Sequence, residues 1–261
     1  MKSRIFRSIS ILFIAMSFLA ATQAISSISS CSAAETSGNS ARDRLIAALK
    51  AGQKVPGSGP DAVSAPAESV CVKYEDSKGS GKYPYNFRAI DDRLFAGGNF
   101  FNPVDKSNDR AKVREFLELL KSMGVKSVIA LNVPAADRSE NDYIESVCRK
   151  LGLTFYRCRM NSEEVPDEAQ TRKIMKFIDQ GAYIHCNWGC DRTGSVIAKY
   201  LVVKKGYSGK KAFEAVIEGG SHAGPLGGMK QTPLYRKLLL YFWPDVAGDC
   251  PEVARKYNIS R

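Results

Sequence analysis

Ala182-Tyr183-Ile184-His185-Cys186-Asn187-Trp188-Gly189-Cys190-Asp191-Arg192-Thr193-Gly194 is the stretch that decides the fold. Ala182 to Cys186 is a short apolar run of strand type, and Val196, Ile197, Tyr200 and Leu201 then keep helical spacing up to Gly206. Between strand and helix lies a loop in which an arginine stands six residues after a cysteine.

Upstream the same order repeats. Phe87 to Ile90, the turn Asp91-Asp92 and Arg93 to Ala96 predict a hairpin closed by Gly97-Gly98. Val113, Phe116, Leu117, Leu120 and Met123 predict a helix with Asn108 as its cap and Gly124 as its stop. Val125 to Leu131 is a buried-type strand, and Ser139 opens a helix with Ile144, Val147, Cys148 and Leu151 on one face. Leu153 to Met160 is the next strand, and Pro166 opens a helix that ends at Gly181. Further helices fall around Ala212 to Ile217 and Pro233 to Trp243. Strand and helix in alternation predict an α/β fold, a mainly parallel central sheet flanked by helices. Ligands of such sheets bind at the carboxyl ends of the strands. The loops after Leu131, Met160 and Cys186 are therefore the functional ones.

The last of these loops is built for an anion. Its length lets successive backbone N–H groups of Asn187, Trp188, Gly189, Cys190 and Asp191 point inward as a nest. The helix that follows adds its positive end. Arg192 can hold two oxygens of one phosphate with its planar fork. Cys186 then sits in a positive field of the kind that lowers a thiol pKa from about 8.5 to below neutral. A thiolate there can attack phosphorus and form a phosphocysteine. His185 can orient the loop, Thr193 is placed to help the thiolate leave, and Gly189 and Gly194 permit tight turning. Other readings of the loop lack parts. A nucleotide-binding loop needs Gly-Lys-Ser/Thr where this chain has Gly194-Ser195. A zinc site from His185, Cys186 and Cys190 has no second ligand cluster, so no metal and no cofactor is expected. A sulfurtransferase loop is usually shorter and lacks the Arg-Thr-Gly ending.

These residues resemble the signature of the cysteine-based protein tyrosine and dual-specificity phosphatases. Tyr83-Pro84-Tyr85-Asn86-Phe87, Leu94-Phe95-Ala96-Gly97-Gly98 and Gly124-Val125-Lys126-Ser127-Val128-Ile129 extend the likeness to the atypical dual-specificity phosphatases of plants and fungi and to periplasmic bacterial tyrosine phosphatases. The resemblance covers residues 83 to about 220 and implies a protein tyrosine phosphatase-like fold with Cys186 as nucleophile and Arg192 as phosphate ligand.

It leaves the proton donor open. The family places an Asp on the preceding loop, where this chain has Asn161-Ser162-Glu163-Glu164-Val165-Pro166-Asp167-Glu168. Glu163 is the positional match. Asp167 stands in a context resembling the plant and fungal members but is also placed to cap a helix. Asp191 lies inside the catalytic loop, as in the similar Asp-Arg-Thr of myotubularin- and Sac-type lipid phosphatases. The resemblance implies either phosphotyrosine and phosphoserine proteins or inositol phosphates and phosphoinositides as substrates. Trp188 could stack on a substrate ring or pack under a loop, and Arg138 and Arg159 stand at strand ends. A phosphate-binding pseudoenzyme stays open as well, against which the intact Cys186, Arg192 and Thr193 argue.

The chain has 261 residues, 44% hydrophobic and 25% charged, which excludes collagen-like, wholly disordered and polytopic membrane chains. Its net charge of +11 suits an acidic partner, including an anionic membrane surface. No nucleic-acid motif accompanies that charge. Residues 1–24 read as a signal peptide: Lys2, Arg4 and Arg7, then the 13 residues from Ile9 to Ala21, then Thr22-Gln23-Ala24. The run is shorter than the ~20 residues of a membrane span. Cleavage leaves 35 basic against 27 acidic residues, a mature charge of +8. An exported protein, periplasmic or secreted, is expected. Ile28-Ser29-Ser30-Cys31 resembles a lipoprotein box, but it lies ten residues past the apolar run. Residues 25–82 have linker composition with one candidate short helix, Arg42 to Lys50. The phosphatase domain is read as 83–250 and a tail as 251–261. Of the seven cysteines, Cys71 with Cys250, Cys148 with Cys158, and Cys186 with Cys190 are candidate pairs. Oligomeric state leaves no sequence signal.

Overall fold

The computed structural model describes residues 69–132 and 138–260. The predicted signal peptide, Cys31, the candidate helix at 42–50 and most of the predicted linker lie outside them. Six strands form one sheet: β1 (Val72–Lys73), β2 (Arg88–Ala89), β3 (Leu94–Gly97), β4 (Ser127–Ala130), β5 (Thr154–Arg157) and β6 (Ala182–His185). Their order is β1-β2-β3-β6-β4-β5. β3, β6, β4 and β5 run parallel, and β2 and β1 add an antiparallel edge. β6 is thus central, with β3 on one side and β4 on the other, and the loop that leaves it emerges mid-sheet.

Helices α1 (Arg110–Ser122) and α2 (Arg138–Leu151) belong to one half of the core. α1 buries Val113, Phe116, Leu117 and Leu120, the spacing that predicted it. Each such side chain stabilises the fold by roughly 1.5–3 kcal/mol on full burial. They join Phe87, Phe95, Phe100, Val128, Ile144 and Tyr183 in one apolar cluster. The second cluster is larger and combines Ile129, Ile184, Cys186 and Ile197 with residues from the other helices. These are α3 (Glu168–Gln180), α4 (Asp191–Lys205), α5 (Gly209–Val216), α6 (Arg236–Phe242), α7 (Val246–Asp249) and α8 (Pro251–Lys256). Among the described residues no helix is long and apolar enough to cross a membrane.

Several expectations need correction. The fold does not begin at residue 83. Val72 and Lys73 pair with Ala89 and Arg88, and the Ser77 carbonyl accepts the Asn86 N–H at 2.7 Å. A two-residue edge strand is too short to leave a periodic signal. Nor do residues 251–260 form a tail. Val253, Ala254 and Tyr257 are buried in the second cluster, and the Tyr257 hydroxyl donates to the Lys230 carbonyl at 3.2 Å. Asp109, not Asn108, caps α1 by accepting from the Lys112 N–H, while the buried Asn108 amide spans the Gly79 and Phe100 carbonyls at 2.7 Å each. The six described cysteines are free thiols, so none of the candidate pairs is joined.

Candidate active site

The loop from Cys186 to Cys190 runs from the end of β6 into the first turn of α4. Cys186 is at its base, 2% exposed. Four successive carbonyls of this loop are tied to groups outside it. His185 Nδ1 lies 3.4 Å from the Cys186 oxygen. The Asn99 N–H donates to the Asn187 oxygen at 2.9 Å. The Asn86 amide lies 3.4 Å from the Trp188 oxygen, and Arg88 Nη1 donates to the Gly189 oxygen at 2.9 Å. In a trans peptide the C=O and the following N–H point to opposite sides. Each tie therefore turns an N–H the other way, those of Asn187, Trp188, Gly189 and Cys190. Among the described residues none of these four N–H groups has a protein acceptor. They form an anion nest at the positive end of a 15-residue helix.

Close backbone approach makes this possible. Gly189 has φ +71°, and a Cβ on it would stand 2.4 Å from the Gly97 carbonyl carbon. A Cβ on Gly98 would meet the Asn187 oxygen at 2.9 Å. The end of β3 is thus pressed against the back of the loop. Tyr183 seals the contact by donating to the Gly98 oxygen at 2.8 Å.

Burial sets the protonation of the surroundings. It pushes the His185 imidazole down to about 4, so the ring is neutral and its Nδ1–H serves the Cys186 carbonyl. It pushes the Cys190 thiol up to about 12, with nearby Cys186 adding to the effect. It also raises the Asp191 carboxyl, against the pull of the Lys230 amide and ammonium and of Arg192. Asp191 Oδ1 accepts the Lys230 N–H at 2.8 Å. Arg192 Nη1 reaches the Met160 oxygen at 3.4 Å and so bridges to the loop after β5. Thr193 Oγ1, one residue on, is buried without a partner among the described residues.

The remaining candidates are placed differently. Glu163 is exposed (57% of its side chain), and its carboxylate lies 3.3 Å from Lys237 Nζ. Asp167 caps α3 in a reciprocal box with Gln170, so its carboxylate is occupied. Arg159 pairs with Glu164 in its own loop at 2.9 Å, and Arg138 opens α2 at the surface. Trp188 is 43% exposed and meets Tyr85 edge-on, ring centroids 5.7 Å apart. Among the described residues no group of three or more His, Cys, Asp or Glu side chains could hold a metal ion.

Sequence reasoning missed Asn86 and Arg88, which hold the loop from behind, and Lys230, which holds Asp191. A charged residue between Phe87 and Ala89 in a strand was the available signal for Arg88, because a charge is not usually fully buried. Lys230 follows a glycine-rich loop and left no signal.

Residues 104–206 match the family model described as Tc-R-P: Polymorphic toxin system, DSP-PTPase phosphatase. Over those residues the chain matches a cysteine-based phosphatase domain of the dual-specificity and tyrosine phosphatase type. It is a cysteine-dependent phosphatase. Among solved structures it is similar to P. aeruginosa TpbA at 17% identity, over 59% of this chain and 83% of that one, with a TM-score of 0.41. It is also similar to PTPMT1 at 19% identity, over 64% and 99%, TM-score 0.45. A third is Tk-PTP in the active form, at 16% identity over 60% and 95%, TM-score 0.43. The search of curated proteins returns no match.

Proposed function

We propose that this phosphatase is exported and hydrolyses phosphate monoesters of phosphotyrosine and phosphoserine proteins through a phosphocysteine. The observation that carries the mechanism is the set of four loop carbonyls tied outward, which leaves four N–H groups for the phosphate. The Cys186 thiolate attacks phosphorus while Arg192 and the nest hold the non-bridging oxygens. The bond from phosphorus to the leaving oxygen breaks, and Asp191 gives that oxygen its proton. A water then attacks the phosphocysteine, returns a proton to Asp191 and releases inorganic phosphate. The Thr193 hydroxyl is available to the departing thiolate.

Asp191 is favoured over Glu163 as donor because its carboxyl is partly buried, pushed toward the protonated form and held beside Arg192. A carboxyl with a raised pKa is better matched to proton donation near neutral pH. Export rests on residues 1–24. The substrate class rests on the rim: Trp188 and Leu226, 43% and 40% exposed, are both hydrogen-bonded through their backbones to Asn86. An aromatic phosphate monoester finds apolar surface there.

Phosphate release from aryl phosphate, phosphotyrosine and phosphoserine peptides, inositol phosphates and phosphoinositides tests the reading, with Cys186→Ser as control. Preference for the peptides supports it. Preference for an inositol substrate replaces the substrate class and keeps the mechanism. No turnover with any of them under reducing conditions removes the reading.

A further inference from the structure

Arg88 has a role that the chemistry above does not use. It lies in the antiparallel edge of the sheet, far in sequence from the catalytic loop, and is 0% exposed. Its Nε donates to the His222 oxygen at 3.1 Å, and its Nη1 donates to the Asn86 and Gly189 oxygens at 3.0 and 2.9 Å. One guanidinium thus joins three segments: β2, the catalytic loop and the loop after α5. Asn86 reinforces the joint. Its amide donates to the Gly227 oxygen at 3.1 Å, and its Oδ1 accepts the Leu226 N–H at 2.8 Å.

A buried guanidinium needs a counter-charge. Among the described residues Arg88 forms no ion pair with a carboxylate. The titratable groups facing it are Cys71 beside β1, Tyr183 on β6, Cys186 and Cys190 in the catalytic loop, and His222 after α5. Burial pushes Cys71 up to about 11, Cys190 up to about 12 and Tyr183 well above its ordinary value, and it pushes His222 down to about 4. Those four are neutral around pH 7. The buried Asp91 carboxylate also acts on Cys71 and His222, but it is paired with Lys205 at 2.9 Å. The place left for an anion beside Arg88 is the catalytic loop itself, where a phosphate would sit.

We propose that Arg88 is a positioning residue for phosphoryl transfer: from behind the loop it turns the Gly189 carbonyl outward, and its unpaired charge favours the anionic forms of the site. The Cys190 N–H joins the nest only while the Gly189 carbonyl is held away. Arg192 and Arg88 then act from opposite sides, one gripping the phosphate and the other fixing the backbone that cradles it. This rests on the anion-binding reading of the loop, and phosphate binding and thiol alkylation read the loop without turnover.

Arg88→Gln removes the charge and ends about where Nε stands, so it can keep the His222 contact but not the Gly189 one, and Arg88→Met removes every donor. In both variants the rate at which iodoacetamide alkylates Cys186 at pH 7 is expected to fall at least threefold. Inorganic phosphate binding should weaken at least tenfold, and more in Arg88→Met than in Arg88→Gln. kcat should fall more than KM changes. A folded Arg88→Gln with unchanged alkylation and phosphate binding would overturn the proposal, since a lowered melting temperature alone is what packing predicts. Should neither variant fold, the wild type decides. The Arg88 Nε–H resonance, followed by NMR, is expected to move as inorganic phosphate saturates the loop. A flat resonance in the wild type overturns the proposal. Turnover lost with intact phosphate binding would instead indict the assignment of the chemistry.

Discussion

Two loops meet at the carboxyl edge of the sheet, and they are held in opposite ways. The loop after β6 is tied from outside at four successive carbonyls and faces a buried cysteine. The loop after β5 is tied mainly to itself: Asn161 Oδ1 accepts the Glu163 and Glu164 N–H groups at 2.7 and 2.8 Å, and its amide holds Glu164. Its charges pair at the surface, Arg159 with Glu164 and Glu163 with Lys237. Water screens exposed pairs to about 0–1 kcal/mol. Electrostatic work is therefore concentrated in the first loop, and the second is adaptable.

Substitutions can break this contrast. Cys186→Ser should abolish turnover, by about 10⁴-fold or more, as loss of a nucleophile does. Asp191→Asn retains the acceptor for the Lys230 N–H and loses only the proton, so kcat should fall by about 100-fold or more. Glu163→Gln should cost less than about threefold if its carboxylate is only a screened surface charge. Side-by-side kcat values for the two variants decide. If Glu163→Gln is the more damaging, the adaptable loop carries the acid.

A smaller effect concerns the support of the rigid loop. His185 and His222 are the chain's two histidines, and burial lowers each from 6.5 to about 4. The unfolded chain takes up these protons near pH 6.5, while the folded protein resists until about pH 4. Stability should therefore be full above pH 6.5 and decline as pH falls toward 4, by up to ~1.4 kcal/mol per pH unit for each histidine. Urea midpoints from pH 8 to 4.5 measure this, and a level profile would mean that His185 protonates freely in the fold. The smallest effect is expected from dithiothreitol. Activity should rise a few-fold at most, since the Cys190 thiol is held up near 12 and exchanges slowly. Equal activity with and without reductant would remove any role for a Cys186–Cys190 disulfide.

The sequence revealed what is local. A central strand, a loop with cysteine and arginine six apart, and a helix lie in one continuous stretch, so periodicity and spacing expose them together. The parallel sheet followed from strand–helix alternation. What escaped depends on contacts between distant positions. β1 pairs over two residues only, and α8 matters because Tyr257 at its C-terminal cap reaches Lys230, whose N–H in turn holds Asp191. Lys205, in the last turn of α4, pairs with the buried Asp91 at 2.9 Å, a contact that no local pattern announces. Asn86 and Arg88 stand in a stretch quoted for family likeness, but only the folded chain brings them behind Gly189.

The pressed contact between β3 and the catalytic loop also limits how this protein can change over generations. A side chain at Gly189 would collide with Gly97, one at Gly98 with the Asn187 carbonyl, and one at Gly97 with the Tyr183 hydroxyl at 2.5 Å. The three positions behave as one inherited character. Variation at any of them alone is barred by its neighbours, so related sequences should keep all three small or replace them together with the surrounding loop.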